Sequence, residues 1–477
     1  MELTLLGHNY RYAAESAILL FVLDHENLRG EISMTQEGGK TAFFARLSYG
    51  EKTGEGACAR VCESEREVQN TMKRAIFSAM EKVCAAPTPW GIMTGVRPTK
   101  IVRELYDLGW DDEAVFRYLK DEFWVSDDKI SLCTEIAKAE QSVLAGCSQS
   151  DVSLYLHVPF CPTRCVYCSF VSNMPKNPEK ELEGYVSAML AELSDTAQIA
   201  RELHLNLKTI YMGGGTPTTL PAPLLKAILT GINQQFDLSH LEEFTVEAGR
   251  PDTVTQEKLA VLKEGGVTRL CINPQTMHQK TLDKIGRRHT PEDVARCYGL
   301  ARAAGFDKIN ADLIAGLPGE TPEMFAQTLA ALLPLSPEAI TVHTMYLKRA
   351  SQMKQEMERF AVANAACVGE MLAKCRGFMH KNGYAPYYMY RQKNTVGNLE
   401  NVGYCLPGCE CRYNVYMMEE EQTILGVGAG ATTKAVVNGK GKGEANLRRY
   451  FSPKDVKLYC ENPISAKKRD IIYEAFK

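Results

Sequence analysis

From residue 153 onward, short apolar runs alternate with longer stretches whose apolar residues recur every three or four positions. That alternation is the pattern of repeated strand–helix units. Six runs read as strands, at 153–158, 208–212, 243–248, 267–272, 308–314 and 339–344, each followed by a helix-periodic segment. Strands joined by helical crossovers lie parallel and close into a complete or partial barrel. A full eight-stranded barrel takes about 250 residues, and only roughly 220 are available before the pattern ends near Gly383. The prediction is therefore an α/β fold built on a partial, six-stranded (β/α)6 barrel, with its site at the C-terminal ends of the strands.

Residues 1–150 carry a different pattern, and are expected to form an α+β accessory domain. Stretches 17–23 and 41–47 are strand-like, and 65–83 has helical periodicity. A breaker cluster at 87–91 (PTPWG) follows, then GIMTGVRPTK at 91–100, whose proline and two glycines predict a constrained loop. An acidic, helix-rich stretch at 111–144 leads through 145–148 into the barrel, assigned to 151–383. Beyond Gly383 the composition shifts to Tyr, Asn and Gly, with Tyr384, Tyr387, Tyr388 and Tyr390 clustered, which marks 384–477 as a C-terminal region.

At 477 residues the chain exceeds one typical domain. Charged residues make up 24% and the formal net charge is −3, so nothing in the overall balance marks a nucleic-acid or membrane-surface binder. The sequence shows no basic leader with a long apolar core and no run of about 18 apolar residues. A soluble, cytoplasmic protein with no nucleic-acid partner and no membrane insertion is expected. Sixteen cysteines scattered through a chain of this size argue against a disulfide framework.

Three of those cysteines change the picture. Cys161, Cys165 and Cys168 lie in LYLHVPFCPTRCVYCSF (154–170), spaced C-x3-C-x2-C directly after the first strand. Thiolates are the usual ligands of iron-sulfur clusters, and a four-iron cluster normally takes four. Three close together leave one iron open, where a molecule bearing an amine and a carboxylate can chelate it. Zinc is the alternative, but its sites favour C-x2-C pairs completed by a fourth Cys or His. After the second strand comes GGGTPT (213–218), where glycines let the backbone approach a ligand closely. A second group, Cys405, Cys409 and Cys411 in YCLPGCECRYN, is either a further metal site or a Pro-Gly turn with incidental thiols.

The cysteine segment, with Tyr155, His157, Pro159, Phe160 and Tyr167 around it, resembles the radical SAM superfamily and its porphyrin-metabolism branch, and GGGTPT matches that branch. The resemblance spans nearly the whole chain, including GNLEN (397–401) and GVGAGA (426–431), and is to oxygen-independent coproporphyrinogen III oxidases of the HemZ type. It implies a 4Fe-4S cluster on Cys161, Cys165 and Cys168, with S-adenosylmethionine on the open iron. It counts Tyr155 with those cysteines as catalytic, and places Tyr167, Gly213, Gly214, Gly215, Thr216, Glu247, Gln275, Arg287 and Asp312 at the co-substrate, with Asn273 beside them and 316–321 against the adenine. Tyr155, Phe160, Tyr167 and Phe170 would exclude water.

The chemistry the resemblance implies is reductive cleavage of the sulfonium to methionine and a 5′-deoxyadenosyl radical, fed by an electron donor such as flavodoxin or ferredoxin. The radical takes hydrogen from a propionate of a tetrapyrrole, and loss of carbon dioxide with one further electron leaves a vinyl group. An oxygen-sensitive cofactor of this kind suits an anaerobe. The substrate's carboxylates call for cations, with Arg250, Arg269, Arg288 and Arg349 as candidates. Two departures bear on substrate. The oxidases carry a further Cys where this chain has Phe170, an aromatic shared with haem chaperones and with haem-ring-opening relatives. The chaperones' H-N-x-x-Y-W motif aligns with Tyr413-Asn414-Val415-Tyr416-Met417, which lacks the His.

Overall fold

The structure, a computed structural model, describes residues 1–22, 27–84, 88–168, 177–346, 363–392, 395–437 and 447–477. Phe170 and Arg349 lie outside the described residues.

The N-terminal region opens with a four-stranded sheet of β1 (Glu2–Leu6), β2 (Leu28–Glu37), β3 (Lys40–Tyr49) and β4 (Lys52–Arg60), parallel between β1 and β2 and antiparallel elsewhere. The helix Glu65–Val83 covers it, begun by a capping box in which the Ser64 hydroxyl accepts from the Glu67 amide and the Glu67 carboxylate accepts from the Ser64 amide. Its buried residues, among them Met72, Ala75, Ile76 and Met80, recur at helical spacing. The stretch read as a strand at 17–23 is not one. Residues 17 and 18 end the helix Arg11–Ile18, and the described residues after them form a turn. The helix's buried apolar positions are Ala14, Ala17 and Ile18, the last two being three and four residues on from Ala14, and a short apolar run does not by itself separate helix from strand.

The barrel is as expected in class and strand count. β5 (Asp151–Val158), β6 (Asn206–Gly214), β7 (Glu243–Glu247), β8 (Arg269–Cys271), β9 (Ile309–Ala315) and β10 (Ala339–Thr344) lie side by side in chain order, all parallel. Helices between them bury their apolar faces against the sheet, as Pro178–Glu202 does with Leu182, Tyr185, Val186, Met189 and Leu193.

The chain beyond 383 extends both edges of this sheet. β11 (Ala385–Arg391) and β12 (Glu400–Cys405) form an antiparallel pair, with β12 against β10. β13 (Thr423–Val427) runs parallel to β5, followed outward by β14 (Thr432–Val436) and β15 (Leu447–Phe451). The result is an open eleven-stranded sheet, a partial barrel with β11 and β15 at its edges.

The loop 91–97 ties the N-terminal region to the sheet, while residues 98–100 of the expected loop instead open the helix Pro98–Asp107, with Pro98 in its first turn. Arg391 donates from its backbone amide to Val96 O (2.7 Å) and from Nη1 to Met93 O (2.6 Å). Trp90 Nε1 donates to Glu400 Oε2 at 2.8 Å, and Lys129 Nζ meets Glu400 Oε1 at 2.7 Å. Among the described residues no helix is long and apolar enough to cross a membrane.

Candidate active site

The cysteine segment leaves the C-terminal end of β5 and is fixed by backbone bonds to two neighbouring loops. Gly215 and Thr216 donate their amides to Val158 O (2.8 Å) and Phe160 O (2.7 Å), which lays the glycine turn against the start of the segment. Val166 donates to Ile285 O at 3.1 Å, and Cys168 to Cys165 O at 3.0 Å. Gly214 has φ +109°, and a Cβ there would come within 2.6 Å of the His157 ring; one at Gly215 would come within 2.5 Å of Phe160 O. Only glycine permits this conformation and this approach.

Cys161, Cys165 and Cys168 line one cavity of about 410 Å³. Cys161 Sγ lies 3.4 Å from Thr216 Oγ1, and Arg250 Nη1 lies 3.6 Å from Cys165 Sγ. Burial pushes the Cys161 thiol up; Thr216 opposes this, the other two thiols add to it, and Arg250 opposes it. An iron cluster supplies the positive charge that converts such thiols to thiolates. Among the described residues no three His, Cys, Asp or Glu converge on a single-ion site. A four-iron cluster distributes its thiolates over separate irons.

The remaining expected residues ring the same cavity. Gly214, Gly215 and Thr216 line it, and Gly213 precedes them at the end of β6, next to the Glu247 carboxyl. Glu247, last residue of β7, accepts from the Tyr211 hydroxyl at 2.7 Å. Burial raises its pKa to about 7, partly offset by that hydrogen bond, with Asp312 adding to the rise. Gln275 has φ +67°, a strained value for a non-glycine residue of the sort that clusters at ligand sites. Its backbone is pinned between strands, its amide donating to Asp312 O (2.9 Å) and its carbonyl accepting from Ile314 (3.1 Å), while Gln275 Oε1 is buried with no partner. Thr163 Oγ1, also on the cavity wall, is likewise buried and unpartnered. Buried polar atoms of this kind are costly unless a ligand satisfies them, and with three thiols and a glycine cradle they fit an iron-sulfur cluster with S-adenosylmethionine. Asp312 lines the wall opposite, accepting from Asn310 Nδ2 at 2.7 Å.

Arg287 is buried and donates four hydrogen bonds within the protein. It donates to Gly249 O (2.8 Å), to Asn273 O (3.3 Å) and twice to the Tyr167 hydroxyl (3.3 and 3.0 Å). Because Tyr167 lies between Cys165 and Cys168, this guanidinium holds the cysteine loop. Of the candidate arginines for substrate, Arg250 and Arg269 line the cavity but are buried in protein contacts, and Arg288 is exposed and off the cavity wall.

Several lining residues, Tyr211 and His343 among them, were not singled out from sequence. Tyr155, Tyr211 and Tyr413 form a stack with ring centroids 6.2, 6.1 and 4.6 Å apart, and burial pushes all three phenols above their ordinary range. His343 and Tyr390 meet through Nδ1 and the hydroxyl at 3.1 Å. The readable signal was the period of two: Asn310 and Asp312, Thr341 and His343, and Tyr388 and Tyr390 alternate with buried apolar neighbours along their strands, as inward-facing residues must. In the second cysteine group, Cys411 donates to Glu243 Oε1 at 3.2 Å and Cys405 is buried within β12.

Comparison with known proteins agrees with this architecture. The profile of the Radical SAM superfamily matches residues 155–332. The chain is 38% identical over 402 residues to the oxygen-independent coproporphyrinogen-III oxidase-like protein HemZ of Bacillus subtilis, covering 84% of this chain and 79% of that one. It is 32% identical over 286 residues to the heme chaperone HemW of Lactococcus lactis, covering 60% of this chain and 70% of the chaperone. Among solved structures, coproporphyrinogen III oxidase (HemN) from Escherichia coli superposes with a TM-score of 0.53 at 21% identity, covering 68% of this chain and 71% of that one, which is a likeness of fold.

Proposed function

We propose, for a chain that belongs to the radical SAM superfamily and within it to the HemZ-type family of coproporphyrinogen-III oxidase-like proteins, that it decarboxylates coproporphyrinogen III oxidatively, converting propionates to vinyls without oxygen. Its cofactors are a 4Fe-4S cluster and S-adenosylmethionine, as the superfamily implies. Bound together, they supply a carbon-centred radical able to take hydrogen from an unactivated carbon, with an electron donor such as flavodoxin or ferredoxin upstream.

The work left to the protein is binding, orientation and exclusion of water. Cys161, Cys165 and Cys168 hold the cluster, and Arg287 holds their loop through Tyr167. The glycine turn offers backbone groups to the methionine end of the co-substrate, and Glu247 receives its cationic amine. Gln275 and Asp312 take the ribose side. Tyr155 and Tyr211 wall the cavity, backed by Tyr413 stacked against both, and keep water from the reacting carbon.

The observation that carries this reading is a single cavity in which three thiols face two carboxylates at the C-terminal ends of six parallel strands. A haem-delivery role is the rival, since heme chaperones are among the relatives. It is disfavoured because Tyr413, where the chaperone motif has a His, is buried in an aromatic stack rather than presented as a ligand. Parallel anaerobic incubations with S-adenosylmethionine and reductant, one with coproporphyrinogen III and one with haem, test the proposal. Protoporphyrinogen with methionine is expected; stable haem uptake without turnover would favour delivery, and haem consumption to a linear tetrapyrrole would favour ring opening.

A further inference from the structure

We infer that His343 is the residue that receives a substrate carboxylate at the cofactor end of the cavity. This rests on the tetrapyrrole reading above and deepens it by naming the group that recognises the propionate.

His343 is the fifth residue of β10 (AITVHT), where Ile340 and Val342 pack outward in the core while Thr341 and His343 line the cavity. Its side chain keeps 29% exposure. Nδ1 stands 3.1 Å from the Tyr390 hydroxyl, and Nε2 stands 3.7 Å from Asp312 Oδ2. With a carboxylate on the Nε2 side, the proton belongs on Nε2 and Nδ1 accepts from the phenol. A separation of 3.7 Å is beyond a hydrogen bond, so the Nε2–H has donor capacity left for a ligand. Asp312 is itself engaged by Asn310, and the ribose proposed above would occupy it further.

The cavity's arginines do not compete for that role. Arg250 is locked to Asp252 at 3.0 and 3.1 Å, and Arg287 to two carbonyls and Tyr167. Arg269 donates from Nη2 to the carbonyls of Cys409 and Glu410 and faces Glu243; its Nη1 has no partner, but it lies at the wrong end of the barrel. Cys271 is in register with Asn310, and Asn310 with Ala339. Arg269 is thus two positions below that level and His343 four above, about 20 Å apart along the strands. Among the described residues that line the cofactor end, His343 is the cation-capable side chain that in this tautomer donates no hydrogen bond within the protein, whereas Arg250 and Arg287 donate four each.

The test is equilibrium binding of coproporphyrin III and of its tetra-amide, followed by pigment fluorescence, to the anaerobically reconstituted protein with S-adenosylmethionine. Wild type is expected to prefer the acid. His343→Phe should weaken acid binding about tenfold, as loss of one charge-assisted hydrogen bond does, and leave the amide unchanged. Tyr390→Phe, which keeps the imidazole but frees its other nitrogen, should weaken the acid by less; it carries the test if His343→Phe does not fold. Equal weakening of both pigments, or of neither, overturns the assignment of His343 alone. Failure of wild type to bind either pigment overturns the tetrapyrrole reading and this assignment with it.

Discussion

Arg287 offers the sharpest perturbation, because one buried guanidinium supports the loop that carries all three proposed cluster ligands. Replacing it with Met removes the donors to Gly249 O, Asn273 O and the Tyr167 hydroxyl. Each buried acceptor left without a partner costs about 1–3 kcal/mol, and relief from burying the charge returns part of that sum. A net loss of about 3 kcal/mol follows, falling on the packing of 165–168 against 285–287 rather than on the barrel core. Since 1.4 kcal/mol is tenfold in an equilibrium constant, the constant for ordering the loop should drop by about a hundredfold relative to wild type. Iron and sulfide per chain after anaerobic reconstitution, with hydrogen exchange across 161–168, read the effect. Arg287→Met should hold less iron and exchange faster in that loop, with the strands protected as before. Arg287→Lys keeps the charge but not the fork and should fall between. Wild-type iron content with unchanged exchange in Arg287→Met would refute the bracing role.

Three further outcomes are expected. Gly214→Ala should cost the apo-protein about 3 kcal/mol, from left-handed strain and the clash with His157, whereas Gly213→Ala meets only side-chain atoms of Tyr211 and Glu247 and should cost less, measured by urea unfolding. Glu247, with its pKa raised to about 7 in the fold, binds more protons folded than unfolded, so its contribution is intact below about pH 4.5 and is lost as pH rises through about 7. Wild-type apo-protein should therefore lose up to about 3 kcal/mol across that window relative to Glu247→Gln, and parallel stability curves would refute the burial argument. Joint replacement of Cys405, Cys409 and Cys411 by Ala should leave iron content at the wild-type level, while Cys161→Ala should abolish the cluster; iron loss in the triple variant would establish a second metal site.

The six barrel strands were legible because parallel strands buried on both faces read as near-continuous apolar runs bounded by turn residues. The cysteine and glycine loops were legible because their residue types have few other uses at that spacing. His343 was not. A polar residue alternating with apolar ones looks the same whether it faces solvent or a barrel interior, and only the closure of β9, β10 and β12 makes that face the inner one. Strand order was equally hidden: nothing in residues 423–427 says that they pair with β5 rather than continue from β12. The misread stretch at 17–23 failed for a simpler reason, since its seven residues are too short for a period of two to be told from one of 3.6.

The role of the N-terminal region follows from the same alternation. Tyr390 and Asn401 are opposite each other on β11 and β12, and so are their chain neighbours Arg391 and Glu400. Adjacent strand residues face opposite ways. Tyr390 points inward to His343, while Asn401 donates to Tyr390 O and accepts from the amide of Thr344, the residue after His343. Arg391 and Glu400 point outward, where Arg391 packs 5.0 Å over the Trp90 ring and Glu400 takes Trp90 and Lys129. Every one of these outward contacts is buried, and removing Lys129 would leave the Glu400 carboxylate buried without its ion-pair partner, which is strongly unfavourable. The N-terminal region thus clamps the outer face of the two strands whose inner face backs His343, and the loop 91–97 braces that wall of the cavity from outside.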